Sequence, residues 1–216
     1  MLEYVFFDLD GTLTDPALGI TNCIMYALDK MGREIPPRES LYCFIGPPLL
    51  YAFQKYFGMT EDEAREAIRL YRERFSTVGL FENTPYDGIV DALRQTRDMG
   101  KKLCVATSKP EEFAVRILEH FDLAQYFDMI CGASMDENRS TKDAVIRYAL
   151  DKTGCAPRNV LMIGDRHHDI DGAAVHGIDA MGVLWGYGSR KEFEASGAKY
   201  IVSDMDEMLR IIDSIK

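Results

Sequence analysis

Asp8 and Asp10 stand two residues apart where an apolar run, Tyr4 to Leu9, ends before Gly11. Side chains at i and i+2 of a strand point the same way, so both carboxylates are expected on one face at the carboxyl end of the first strand, where open α/β sheets bind ligands. Two carboxylates so placed repel each other, and a strand-end turn accounts for Asp10-Gly11 but not for Asp8. A hard cation relieves the repulsion. Mg²⁺ accepts carboxylate and carbonyl oxygens while keeping water positions that a phosphate can take over. With Asp8 held ionised, its carboxylate can attack phosphorus and form an aspartyl phosphate. An alkoxide leaving group then needs an acid and the incoming water a base, and Asp10 is placed for both.

Thr107 and Ser108 close a second apolar run just before Lys109-Pro110 and a helical pattern. Hydroxyls, backbone N–H groups and a helix N-terminus together bind phosphate oxygens, although the same two residues would serve as caps for the helix begun at Pro110. Val160 to Gly164 runs straight into Asp165, with Asp169 four residues on. Asp165 is a candidate to complete a metal shell, with Asp169 beside it to orient a bound water or Lys142, or to cap the helix through Ile170. His167 and His168 lack the spacing and cysteine partners of a zinc site and are expected in solvent. A cation must offset a transferring phosphoryl group. Lys142, at the start of a helix carrying Val145, Tyr148 and Ala149, is the first choice, and Lys109 the second.

These residues need a scaffold that brings strand ends together. Tyr4–Leu9, Lys102–Thr107, Val160–Gly164 and Ala180–Trp185 read as buried parallel strands, as does the apolar run around Cys131. Helical patterns lie between them, with Ile89, Leu93 and Met99 on one face and Phe113, Ile117 and Phe121 on another. Strands alternating with helices predict an α/β fold with a doubly wound parallel sheet. Residues 15–84 break the alternation with three helical patterns: one opened by Asp15-Pro16, one carrying Leu49, Phe53 and Phe57, and one opened by the capping box Thr60–Glu63. Turn-forming stretches at 12–15 and 80–88 read as linkers to this insert.

The 216 residues allow one core with a modest second lobe, and 47% hydrophobic residues suffice for a packed interior. A formal net charge of −10 with no Lys/Arg run longer than two argues against nucleic acid as a partner. Five cysteines without close pairs read as reduced core residues. Met1-Leu2-Glu3-Tyr4 lacks a basic and then apolar leader, and no window is long enough for a membrane span, so a cytoplasmic location is expected.

Taken in order, Asp8-Leu9-Asp10-Gly11-Thr12, Thr107, Lys142 and Gly164-Asp165 with Asp169 resemble the motifs of the haloacid dehalogenase (HAD) superfamily, across the whole chain. The helical insert after the first motif resembles the subgroup with a helical cap, and Ile45-Gly46-Pro47-Pro48-Leu49 is similar to the cap of phosphoglycolate phosphatase-like members. The resemblance implies a HAD-like Rossmannoid core of residues 1–14 and 85–216 and a cap of residues 15–84 that closes over the site. It implies Asp8 as nucleophile and Asp10 as acid/base. Mg²⁺ would be bound by Asp8, the backbone carbonyl of Asp10 and Asp165, and phosphoryl oxygens by Thr107 and Lys142. Asp143 stands where many relatives have proline. The expectation is a Mg²⁺-dependent phosphatase for a small phosphomonoester, phosphoglycolate phosphatase-like, working as a monomer or homodimer. A 5'-nucleotidase or a sugar-phosphate mutase is the alternative; a receiver-type signalling domain is disfavoured by the insert and by the DxD spacing. Gly46, Asn83 and Thr84 are candidate substrate contacts. Trp185-Gly186-Tyr187-Gly188 resembles a loop of phosphoglycolate phosphatase-like and nucleotidase-like proteins, and reads equally as a glycine-rich turn packed on the core.

Overall fold

Aromatic and β-branched residues dominate Tyr4–Phe7, which forms strand β1 of the computed structural model; residues 1–136 and 138–215 are described. The chain continues through β2 (Thr14–Asp15), helices α1 (Ala17–Lys30), α2 (Leu49–Phe57) and α3 (Glu61–Arg74), and β3 (Thr84–Pro85). It then alternates: α4 (Ile89–Asp98), β4 (Lys102–Pro110), α5 (Glu111–His120), β5 (Met129–Ala133), α6 (Lys142–Thr153), β6 (Val160–Gly164) and α7 (His167–Val175). The last elements are β7 (Asp179–Val183), α8 (Arg190–Ala195), β8 (Tyr200–Val202) and α9 (Met205–Ser214). Two compact units result: Met1–Thr14 with Pro85–Lys216, and Asp15–Thr84.

In the first unit six parallel strands lie in the order β5-β4-β1-β6-β7-β8, so the chain starts in the middle of the sheet and winds outward both ways. Helices flank the sheet. On one face Phe6, Cys104 and Met162 pack with Val145, Ile146 and Ala149 of α6 and Ile170 and Ala173 of α7. Strands β7 and β8 differ in detail from the pattern: β7 ends at Val183, leaving Leu184 and Trp185 beyond it, and β8 is a three-residue strand too short for a periodic signal. Burying a side chain such as Phe6 or Phe7, both 0% exposed, stabilises by about 2–3 kcal/mol. Such side chains fill the centre of the sheet and hold its ends in register.

The second unit contains the three expected helices. Asp15 Oδ1 accepts the Ala17 N–H at 3.0 Å where α1 starts. At α3, Thr60 Oγ1 accepts the Glu63 N–H at 3.3 Å while Glu63 Oε2 accepts the Thr60 N–H at 2.8 Å. Phe44, Phe53 and Phe57 form its aromatic centre, with Phe44 and Phe53 ring centroids 5.0 Å apart. Among the described residues no helix is long and apolar enough to cross a membrane.

Candidate active site

Register decides what meets at the carboxyl end of the sheet. Phe7 pairs with Val105 on one side and Ile163 on the other, so Asp8 emerges level with Ala106 and Gly164, one residue short of Thr107 and Asp165. Three sequence segments more than fifty residues apart thus deliver their polar residues to one place. Beyond β1 the chain turns sharply: the Leu13 N–H donates to Leu9 O at 2.9 Å and Gly11 takes φ +82°, which favours glycine. The Asp8–Asp10 relation therefore differs from strand alternation, because β1 ends at Phe7 and Asp10 already belongs to the turn.

Lys142, the first residue of α6, lies within 2.8 Å of both Asp8 Oδ1 and Asp169 Oδ1, and its Nζ donates to Ala106 O at 3.0 Å. Its stem passes over Gly172, where a Cβ would stand 2.9 Å from Lys142 Cγ. Asp169 Oδ2 also accepts the Arg166 N–H at 3.0 Å, so the same carboxylate caps α7 and holds the lysine. Asp143, at the second position of α6, leaves that geometry intact and suits the positive helix N-terminus. Asp10 takes the other lysine: Lys109 Nζ donates to Asp10 Oδ1 at 2.6 Å. Lys109 is therefore an ion-pair partner of Asp10, a role the sequence pattern did not signal. Thr107 Oγ1 accepts the Lys109 N–H at 3.2 Å, and α5 starts after Pro110 without a side-chain cap, so Thr107 and Ser108 do not cap it.

Among the described residues, the buried charged side chains are Asp8, Asp10, Lys109, Lys142, Asp165 and Asp169, all belonging to this constellation. Desolvating each costs several kcal/mol, more than the burial of one phenylalanine returns. Burial pushes Asp165 well above the usual carboxylate range, reinforced by Asp169 and Asp8. Asp169 is pushed up to about 6, by burial first, with Lys142 opposing and Asp8 adding. Asp10 is raised by burial, against Lys109. For Lys142 burial favours the neutral amine, but Asp169 and Asp8 outweigh it and keep the ammonium.

Four buried carboxylates face two buried ammonium groups, an imbalance that one divalent cation would cancel. Oxygens of Asp8, Asp165 and Asp169 lie within 4.8 Å of one another. Asp165 Oδ1 is buried with no hydrogen-bond partner, while Oδ2 accepts the Tyr187 N–H at 2.8 Å. An all-oxygen donor set with an unpartnered buried oxygen fits a hard cation. The Asp10 carboxylate is turned to Lys109 and stands outside this oxygen cluster.

Two sequence readings need correction or addition. His167 and His168 are half-buried, not free in solvent: Glu192 of α8 accepts the His167 N–H at 2.8 Å and faces its Nδ1 at the same distance. Burial, then His167 and Arg166, pull His168 down to about 4. Nothing local in the sequence points to Glu192, twenty-five residues away. Gly46, Asn83 and Thr84 fall in the helical unit. Gly46 adopts φ +106° before α2, and Asn83 Oδ1 accepts the Thr84 N–H at 2.9 Å.

The model of the haloacid dehalogenase-like hydrolases matches residues 5–183. A 5'-nucleotidase of Pseudomonas aeruginosa is 42% identical over 97% of this chain and 95% of its own length. The tyrosine-protein kinase PtkA of Mycobacterium tuberculosis is 44% identical over 86% of this chain, which spans 63% of that protein. The crystal structure of a predicted phosphatase from Clostridium acetobutylicum superposes with a TM-score of 0.95 at 46% identity, covering 98% of each chain. A more distant match is phosphoglycolate phosphatase 1 of Pseudomonas aeruginosa, 24% identical over 97% of this chain and 79% of its own length.

Proposed function

The chain belongs to the haloacid dehalogenase-like hydrolase family and is a phosphomonoester hydrolase, and from that premise we propose an aspartyl-phosphate mechanism carried by Asp8. The observation that supports it is the convergence of Asp8, Asp165 and Asp169 oxygens within 4.8 Å beside the Lys142 ammonium. In the first step Asp8 attacks phosphorus, the bond to the ester oxygen breaks, and Asp10 gives its proton to the departing alkoxide. In the second, Asp10 takes a proton from water, whose oxygen attacks phosphorus; inorganic phosphate leaves and the Asp8 carboxylate is regenerated. Lys142 and the Thr107 hydroxyl, with Ser108 beside it, hold the phosphoryl oxygens. Lys109 orients Asp10.

Asp8, Asp165 and the Asp10 carbonyl would hold Mg²⁺, with Asp169 completing the surround; when bound, the ion offsets phosphoryl charge and keeps Asp8 from being repelled by its neighbours. The helical unit acts as a cap that excludes water and reads the leaving group, with Gly46, Asn83 and Thr84 as the candidate contacts. Nucleoside monophosphates come first among the substrates, supported by the 42% identical nucleotidase, and phosphoglycolate second.

A panel of nucleoside monophosphates, phosphoglycolate, sugar phosphates and, with ATP, a tyrosine peptide tests this, scored by phosphate release and product identity. The expected outcome is Mg²⁺-dependent release of phosphate from a monoester, lost by at least ~10²-fold in Asp8→Asn. Full activity of Asp8→Asn rules out the covalent route. Isomer formation without phosphate marks a mutase, and a labelled peptide marks a kinase.

A further inference from the structure

The two oxygens of Asp165 are treated unequally. Oδ2 accepts the Tyr187 N–H at 2.8 Å, whereas Oδ1 is buried without a partner among the described residues. Tyr187 lies in the loop Trp185–Gly188 after β7, which the mechanism leaves unused. Around Asp165 that loop comes too close for side chains. A Cβ on Gly186 would stand 2.3 Å from both Asp165 Cβ and Gly11 O, and one on Gly188 would stand 2.1 Å from Asp165 O. From the opposite side, a Cβ on Gly11 would meet Asp165 Oδ2 at 2.1 Å. Trp185 joins the two walls, its Nε1–H donating to Thr12 O at 3.1 Å.

We propose that the loop Trp185-Gly186-Tyr187-Gly188 is the positioning device of the cation site: the Tyr187 N–H restrains Asp165 Oδ2, Gly186 and Gly188 admit the backbone close enough to do so, and Trp185 ties the loop to the turn after Asp8. Oδ1 is thereby presented to a divalent cation. A carboxylate fixed by a hydrogen bond at one oxygen loses less rotational freedom when the other coordinates an ion. The inference rests on the reading of Asp165 as a cation ligand. A turn that only packed against the core would leave cation affinity untouched when altered without unfolding.

The test is calorimetric titration of the whole chain with Mg²⁺, without substrate, beside circular dichroism and the Mg²⁺ dependence of turnover. Gly186→Ala is expected to weaken Mg²⁺ binding by about 10- to 100-fold. Trp185→Phe keeps a ring in place but removes the N–H, and is expected to weaken binding by about five-fold, the worth of one hydrogen bond. In both, turnover is restored at saturating Mg²⁺, so the Mg²⁺ requirement rises while kcat stays. Wild-type Mg²⁺ affinity in a folded Gly186→Ala protein overturns the inference; if that variant does not fold, wild-type affinity in Trp185→Phe overturns it alone. Asp165→Asn separates the premise: Mg²⁺ binding retained there sinks the ligand reading itself, and the inference with it, whereas binding lost in Asp165→Asn but kept in both loop variants sinks the inference only.

Discussion

The core unit buries a cluster of charges besides exposed pairs such as Lys199–Asp179, whereas among the described residues the helical unit buries none. At the carboxyl ends of β1, β4 and β6 and the starts of α6 and α7 six ionisable side chains are buried together: Asp10 pairs with Lys109, Lys142 with Asp8 and Asp169, and Asp165 is held by the Tyr187 N–H. In the helical unit Arg65–Glu61 and Arg69–Glu66 pair at 2.7 and 2.8 Å on exposed helix faces, and the buried side chains Phe44, Phe53, Ala64 and Ile68 are apolar. Exposed pairs of this kind are worth well under ~1 kcal/mol, whereas breaking a buried one costs several. Burying like charges side by side opposes folding, so its presence marks where stability was given over to chemistry. The helical unit carries no such mark.

The contrast makes graded predictions. Asp10→Asn is expected to lower turnover by about 10²- to 10⁴-fold, the range for a lost general acid, with labelled phosphoenzyme accumulating after mixing with substrate. An unaffected rate contradicts the proton-transfer role. Lys142→Met leaves Asp8 and Asp169 buried without their shared cation and should cost about 3–5 kcal/mol in a denaturant melt. Added Mg²⁺ should recover part of that loss, a sign that charge and not shape was missing. Phe53→Ala, in the aromatic centre of the helical unit, should cost about 3–5 kcal/mol as well, but with Mg²⁺ affinity by calorimetry unchanged. A joint loss of both would mean that the two units do not divide the labour this way.

The smallest effect concerns a half-buried ion pair of the helical unit, in which Arg74 donates to both oxygens of Glu82 at 2.6 and 2.8 Å. The Arg74 hydrogen bond holds Glu82 below its ordinary value of 4.5. A depressed carboxyl contributes stability that is complete above its unfolded pKa and is lost as pH falls through the folded one. Melts of the wild type and Arg74→Met should therefore differ above pH 4.5 and converge as acid is added. A difference that persists in strong acid would assign the effect to packing of the arginine stem, including its contact with Cys23.

Much of this was readable one segment at a time. The YVFF run, the helix opened by Asp15-Pro16 and the Thr60–Glu63 capping box are local patterns, set by side-chain periodicity and by groups two to four residues apart. The short β8 gave no such signal, and Leu184 and Trp185 prolonged the apolar run of β7 past the strand's end. Within the site, Asp8, Asp10 and Asp165 stood out by type and position.

Their partners did so only in part: the sequence points to Lys142 as a partner of Asp169, and the two lie 2.8 Å apart. That Lys109 belongs to Asp10 and that Lys142 also reaches Asp8, that His167 leans on Glu192, and that Trp185–Gly188 closes on Asp165 all depend on neighbours tens to more than a hundred residues away. The amino-acid order by itself determined the elements and the residue types at their ends, because backbone geometry and periodicity act over a few residues. Which carboxylate received which lysine, and which oxygen of Asp165 stayed unpartnered, was decided only when the parallel register of β1, β4 and β6 fixed distances that no local rule specifies.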